Sequence, residues 1–188
     1  VGQSRRAVVR GCRAERNVAG IEIENTVDAA VYDNVATNNA GGILVFDLPG
    51  LQLKAGRNVR VFRNQVIANN HKNFAAPGNM VAGVPSGTGV MIMATDHVEV
   101  FDNDIRDNQT TSISLVSLLA TGKKMKDPTF DPISEGLSIH DNRISGGGTK
   151  PSGKIGLLLV PALGIPLPDI VYDGVVAPQE ADDDPETL

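Results

Sequence analysis

The sequence predicts an all-β protein, a single-stranded right-handed parallel β-helix of about five to six coils. Two observations predict this fold: a short segment ending in Asn recurs along the chain, and apolar and polar residues alternate within each copy. A repeat of more than 20 residues is typical of solenoids, in which each unit buries its apolar face against its neighbours. Alternation with a period of two indicates strands, because successive side chains of a strand point to opposite faces.

Six segments share this pattern, of which four end in Asn, and the first is a weaker copy. They are residues 7–12, 29–34, 59–64, 98–103, 137–142 and 169–174. The shortest spacing between their last residues is 22, from Cys12 to Asn34, and the later spacings are 30, 39, 39 and 32. Three short strands and their bends need about the shortest spacing, so we expect the longer repeats to carry loops at their bends.

The last position of these segments predicts a structural ladder. When coils stack in register, equivalent residues lie about 4.8 Å apart, so an amide side chain can donate to one neighbouring coil and accept from the other. Asn also tolerates the left-handed backbone that a tight bend requires. The predicted ladder consists of Asn34, Asn64, Asn103 and Asn142, and it ends at Cys12 and Gly174. Five residues after each copy comes a second set: Asn17, Asn39, Asn69, Asn108 and Gly147.

Short apolar segments upstream of the asparagine-ended copies predict one more strand in each coil. They are residues 20–25, 42–47, 89–94, 112–117 and 156–161. Their outward positions carry large apolar residues, among them Leu44, Phe46, Met91 and Met93. An apolar surface of this size is normally covered. We expect the inserts at about residues 70–86 and 118–134 to cover it, because they carry apolar residues of their own. The alternative is a protein partner that docks on these four side chains.

The outward positions of the asparagine-ended segments carry a row of aromatic residues beside a row of charged ones. The first row contains Arg10, Tyr32, Phe62, Phe101, His140 and Tyr172, and the second contains Asp33, Arg63, Asp102, Asp141 and Asp173. Sugar rings repeat about every 5 Å along a chain, which is close to the strand spacing. The rows therefore predict a binding surface for an extended polysaccharide, formed by stacking and hydrogen bonding. The residues expected to bind it are Tyr32, Phe62, Arg63, Phe101 and Tyr172.

The alternative interpretation of these rows is structural, since stacked rings and Asp–Arg pairs stabilise neighbouring coils by roughly 0.2–1 kcal/mol per pair.

A catalytic site needs acid, base or charge-neutralising groups in addition to a binding surface. A lyase or epimerase acting on a uronate must neutralise a carboxylate and move the C5 proton, and a glycoside hydrolase needs two carboxylates about 5–10 Å apart. The candidates for such groups are Asp102, His140 and Asp141. We expect no cofactor, with Ca²⁺ held between Asp102 and Asp141 as the alternative.

Composition and charge exclude several classes of protein. Hydrophobic residues make up 41% of the chain, which indicates a globular protein. The net charge of −5 and the lack of a basic run argue against a nucleic-acid partner. The single Cys12 excludes an internal disulfide. No apolar run approaches the roughly 20 residues of a membrane span.

The domain prediction is a β-helix over residues 1–176, followed by an acidic tail or linker over residues 177–188 that contains three successive Asp residues. The chain starts at Val1, inside what the pattern predicts to be a strand. We therefore expect a fragment of a longer precursor, in which the solenoid continues upstream.

The pattern V-x-V-x-x-N-x-I-x-x-N, most complete from Val98 to Asn108, resembles that of right-handed β-helix repeat proteins. This superfamily includes pectate lyases, mannuronan C5-epimerases and the periplasmic accessory protein of nitrous oxide reductase. Residues 41–49, 73–79 and 84–89 are also similar to a group of bacterial β-helix repeat proteins that are exported or lipid-anchored and mostly without assigned function. The resemblance spans roughly residues 1–176.

The resemblance implies a periplasmic or extracellular location. Since some members of the group are lipid-anchored, a lipid anchor in the full-length precursor is one alternative. It also implies one of two kinds of function. The first is carbohydrate-related: the protein binds a polysaccharide or modifies it as a lyase, epimerase or hydrolase. The second is that of a non-catalytic scaffold or accessory protein, which would dock a partner through the apolar strand face.

Overall fold

The computed structural model describes residues 1–122 and 127–176, and in this part of the chain it forms a right-handed parallel β-helix of about five coils. The predicted fold class is confirmed. The predicted acidic tail, residues 177–188, lies outside the described residues.

Each coil contains three strands. In chain order they are β1 (Arg5–Arg10), β2 (Arg13–Glu15), β3 (Ala19–Glu24), β4 (Val27–Tyr32), β5 (Val35–Thr37), β6 (Gly41–Phe46), β7 (Arg57–Phe62), β8 (Gln65–Ile67), β9 (Thr88–Met93), β10 (Asp96–Phe101), β11 (Asp104–Arg106), β12 (Thr111–Val116), β13 (Ser138–His140), β14 (Arg143–Ser145) and β15 (Ile170–Tyr172). Short 3-10 turns lie at Met80–Gly83 and Leu118–Thr121, and the helix α1 spans Gly153–Leu163.

The strands stack into three parallel sheets, and every coil contributes one strand to each. Sheet 1 has the order β1-β4-β7-β10-β13, sheet 2 the order β2-β5-β8-β11-β14, and sheet 3 the order β3-β6-β9-β12-β15. Each strand pairs with its equivalent one coil away, so equivalent residues form columns. One inward column of sheet 1 consists of Val9, Val31, Val61, Val100 and Ile139.

The core lies between the three sheets and is built mainly from β-branched side chains. Val and Ile suit this position because they pack well against the pleated surface of a sheet. The fully buried members include Ile23, Val31, Ile43, Val61, Ile92, Val100 and Ile105. The inward side chains of each strand are therefore apolar, whereas the chemical character of the outward side chains differs from sheet to sheet.

The bend between sheets 1 and 2 requires a left-handed backbone in every coil from the second to the fifth. Asp33, Arg63, Asp102 and Asp141 have φ values of 54°, 52°, 53° and 52°. Asp is among the residues that tolerate this conformation best, which explains its use at three of the four positions. The next residue in each coil is the buried or half-buried Asn of the ladder.

The fifth coil departs from the prediction. Residues 156–161, predicted as a strand, lie within α1, because their Leu-rich sequence favours a helix over a strand. The helix ends at Leu163 and is capped by Gly164, whose backbone N–H donates to the carbonyl of Val160 over 2.8 Å. In the fifth coil, β15 forms the sheet 3 strand in place of residues 156–161, and it pairs Tyr172 with Leu115. Tyr172 therefore does not belong to the aromatic row on sheet 1, and Gly174 does not end the ladder.

The outward face of sheet 3 is covered by the chain's own loops. Leu44, Phe46, Met91 and Met93 are all buried, and they share one apolar cluster with Val84, Leu118 and Phe130. Met80 and Val81 pack against the same cluster from the first insert. The prediction that the inserts cover this face is confirmed. The alternative, a protein partner docking on these four side chains, is wrong because the loops already occupy the surface.

Candidate functional site

Sheet 1 is the broadest outward face that the described loops leave open. Four of its strands have six residues, whereas the sheet 2 strands have three. Two outward columns run along it. One contains Val8, Ala30, Arg60, Glu99 and Ser138, and the other contains Arg10, Tyr32, Phe62, Phe101 and His140.

Beneath this face, the predicted Asn residues form a continuous ladder. The side-chain amide of Asn34 donates to the side-chain oxygen of Asn64 over 2.9 Å, Asn64 donates to Asn103 over 3.0 Å, and Asn103 donates to Asn142 over 2.9 Å. Each amide also donates to a backbone carbonyl of the preceding coil; for Asn64 the acceptor is Val31, at 2.9 Å. The ladder begins at the backbone N–H of Cys12, which donates to Asn34. These bonds hold the bend of sheet 1 in register.

A second ladder lies at the bend between sheets 2 and 3. Asn17, Asn39 and Asn69 donate in turn to the next Asn over 3.3, 2.9 and 3.1 Å, and the series ends at Asn108. The sequence interpretation placed a ladder only at the first bend. The constant five-residue offset between the two Asn sets was the signal for the second ladder.

The aromatic row of sheet 1 is a stack of parallel rings. The centroids of Tyr32 and Phe62 are 4.9 Å apart, those of Phe62 and Phe101 are 4.9 Å apart, and those of Phe101 and His140 are 5.3 Å apart. The interplanar angles are 14°, 8° and 7°. The ring faces therefore contact one another, and the ring edges point outward.

Two arginines flank the stack and connect it to carboxylates. The Arg63 guanidinium lies 4.8 Å from the ring centroid of Phe62 and donates two hydrogen bonds to Asp33, at 2.9 and 3.0 Å. The Arg60 guanidinium lies 5.1 Å from the centroid of Phe101 and donates to Glu99 over 2.9 Å. The hydrogen bonds from Arg63 lower the pKa of the Asp33 carboxyl. Arg60 and Glu99 were missed by the sequence interpretation, although their outward position follows from the period of two.

His140 ends the stack and contacts two carboxylates. Its Nδ1 lies 2.9 Å from Asp141 Oδ2, and its Nε2 lies 3.3 Å from Glu99 Oε1. The hydrogen bond with Asp141, followed by that with Glu99, raises the pKa of the imidazole above its ordinary value. Both ring nitrogens are engaged by carboxylates, so neither is free to face a sugar as a base must. This arrangement does not favour His140 as a general base.

The other catalytic candidates have no assembled site around them. Asp102 and Asp141 occupy successive coils at the exposed bend. Within residues 1–122 and 127–176, no three His, Cys, Asp or Glu side chains converge in a way that could hold a metal ion. The Asp102–Asp141 pair thus lacks a third ligand of these types for Ca²⁺.

Comparisons with known proteins identify a family but no individual relative. A family model described as "Periplasmic copper-binding protein (NosD)" matches residues 1–145. No curated protein and no solved structure matches the chain. In the part of the chain that the structure describes, no helix is long and apolar enough to cross a membrane. The family's periplasmic location agrees with the predicted export. Since the match covers well over half of the chain, the protein belongs to the NosD family of periplasmic β-helix proteins.

Proposed function

We propose that the protein is a periplasmic binding protein and that the open face of sheet 1 binds an extended polysaccharide. The observation that supports this function is the regular array on that face. Charged and aromatic side chains repeat once per coil, at ring spacings of 4.9 to 5.3 Å. A linear glycan lying along the solenoid axis would meet an equivalent position at nearly every sugar, because its rings repeat at about the strand spacing.

The stacked rings determine how such a ligand would be held. Their faces contact one another, so a sugar would meet ring edges rather than stack on ring faces. The exposed guanidinium and carboxylate groups beside the rings, those of Arg63 and Asp102 among them, would supply the hydrogen bonds. The stack itself would serve as a rigid support that keeps these groups in place.

Binding is favoured over catalysis. His140 is engaged by two carboxylates, and Asp102 forms no hydrogen bond or ion pair with another described residue. A lyase or epimerase would require a neutral base facing the sugar. The array supplies contacts at many equivalent positions, which suits a ligand with repeated units better than a single reactive bond.

Affinity electrophoresis in gels containing soluble neutral and acidic polysaccharides tests the proposal. We expect the wild-type protein to be retarded by at least one of them, and the Arg63→Gln/Asp102→Asn variant to lose that retardation. Gln65→Ala is the matched control, because Gln65 is exposed on sheet 2, two residues beyond Arg63. No retardation in any polysaccharide, or an equal loss in the control, would overturn the proposal.

The family match favours copper as a second candidate ligand. Copper prefers imidazole, thiolate and thioether ligands. The described His, Cys, Asp and Glu residues do not form a copper site, because Cys12 is exposed at a bend, His140 is held by carboxylates, and no three side chains of these types converge. Titration of the protein with Cu(I) and Cu(II) tests this conclusion. Stoichiometric, submicromolar binding by the single chain would show that the fit argument is wrong.

A further inference from the structure

The charges on sheet 1 are divided between its two halves. Arg5, Arg6 and Arg10 lie on β1, and Arg57 and Arg60 lie on β7, with Arg63 at the following bend. The strand between them, β4, and its bend contribute Asp28 and Asp33. From the fourth coil onward the face carries Asp96, Glu99, Asp102 and Asp141. The first three coils are therefore basic in a chain whose net charge is −5.

The two arginine rows border a shallow trough over β4. Neighbouring strands lie about 4.8 Å apart, so the rows on β1 and β7 are about 10 Å apart, a span of about two sugar units for a glycan that lies along the solenoid axis. On the floor, Val8 and Ala30 occupy one outward column, and the exposed Asp28 lies two residues before Ala30 on β4. A depression of about 300 Å³ lies over them, and its charged and polar lining consists of Arg6, Asp28, Asn58 and Arg60.

A second depression extends the trough toward the bend. It has a volume of about 340 Å³ and is lined by Arg10, Gly11 and Asp33. Both depressions thus lie on the basic half of the face, and each is bordered by at least one arginine.

Among the arginines that line the two depressions, the unpaired ones lie on β1. Arg63 is paired with Asp33, and Arg60 is paired with Glu99. Arg6 and Arg10 are exposed, and neither forms an ion pair with another described residue. Arginine binds carboxylates through two parallel hydrogen bonds, so two unpaired guanidinium groups beside a shallow apolar floor suit an acidic sugar.

We propose that the trough over β4 is a subsite for carboxylate-bearing polysaccharides, with Arg6 and Arg10 as the groups that select the charged sugar. This inference rests on the proposed function and names the chemical class of its ligand. The sugar rings lie against Val8 and Ala30, and their carboxylates contact the two arginines. The acidic half of sheet 1, from Asp96 onward, does not take part in this selection.

Calorimetric titration with polygalacturonate and with its fully methyl-esterified form tests the inference, because the two polymers differ in charge and share one backbone. We expect the acid form to bind roughly tenfold or more tightly than the ester, and raising the salt concentration to reduce the difference. The Arg6→Gln/Arg10→Gln variant should lose this preference and bind both forms equally. Arg13→Gln/Arg16→Gln is the control, since it removes the same charge from the sheet 2 side of the first coil.

Each outcome separates the two proposals. Equal binding of acid and ester by the wild type would overturn the inference and leave polysaccharide binding intact. An equal loss in the control variant would also overturn it, because net charge alone would then explain the preference. If neither these polymers nor the panel of neutral and acidic polysaccharides bound, the proposed function itself would fail.

Discussion

The outward faces of sheet 3 and sheet 1 belong to the same coils and have opposite environments. On sheet 3, Phe46 and Met93 are buried under loops from two bends. On sheet 1, the rings of Phe62 and Phe101 stay half-buried, and the charged groups around them are exposed. The two faces show that strand pattern alone does not decide which surface of a β-helix is available. The loops between the strands decide it, and here they leave the polar face open to solvent.

The largest expected effect is on the covered face. Phe46→Ala should lower the free energy of unfolding by roughly 3–5 kcal/mol, because Phe46 is 2% exposed and the loops above it leave a cavity when the ring is removed. Urea unfolding followed by circular dichroism measures this change. A loss below about 1 kcal/mol would mean that the loops do not pack on sheet 3 in solution.

The second prediction concerns a buried carboxyl group at the end of β6, on the same covered side. Asp47 Oδ2 accepts from the Gly56 N–H over 2.5 Å, and Asp47 Oδ1 accepts from the Thr95 hydroxyl over 3.1 Å. Burial is the main cause that raises the pKa of Asp47 to about 6. Because the folded-state pKa lies above the unfolded value, the stabilising contribution of the protonated form is present at low pH and is lost as the pH rises through about 6.

Asp47→Asn should therefore remove a pH-dependent loss of stability. Relative to the variant, the wild type should lose on the order of 2–3 kcal/mol between pH 4 and pH 7. Unfolding free energies measured at four pH values across this range check the difference. Parallel curves for the two proteins would show that the carboxyl group keeps its ordinary pKa.

The third prediction is a smaller effect on the open face. Phe62→Ala should cost about 1–3 kcal/mol, since Phe62 stacks on two rings and each aromatic pair contributes about 0.5–1.5 kcal/mol. Its cost should stay below that of Phe46→Ala in the same urea experiment. A larger cost for Phe62→Ala would reverse the comparison between the faces.

The smallest expected effect is a change in ionisation with little change in stability. The pKa of His140 should lie above 6.5, and Asp141→Asn should lower it more than Glu99→Gln, following the order of the two hydrogen bonds. Titration of the imidazole by NMR measures both shifts. A wild-type value at or below 6.5 would return His140 to the list of candidate bases.

Much of the fold could be predicted from the sequence because the repeat has a direct physical cause. Asn64 and Asn103 recur at the same position of each copy, and stacked amides need identical residues one coil apart. Tyr172 also follows the pattern in sequence, yet it lies in sheet 3. A Leu-rich segment such as residues 156–161 is compatible with a buried strand or a helix, and pattern alone does not distinguish the two. The helix shifted the last copy by one sheet.

The sequence by itself determined the coil, the inward columns and the Asn ladder, since these depend on local alternation and on residues that repeat at each bend. Only the tertiary structure decided which outward face is open, because that depends on where residues 70–86, 118–122 and 127–134 fold back. It also showed that Tyr32, Phe62 and Phe101 use their ring faces on one another. The stacking of backbones at about 4.8 Å sets the contacts between coils. The residue pattern of a strand, by contrast, does not show which loop covers the outward face of that strand.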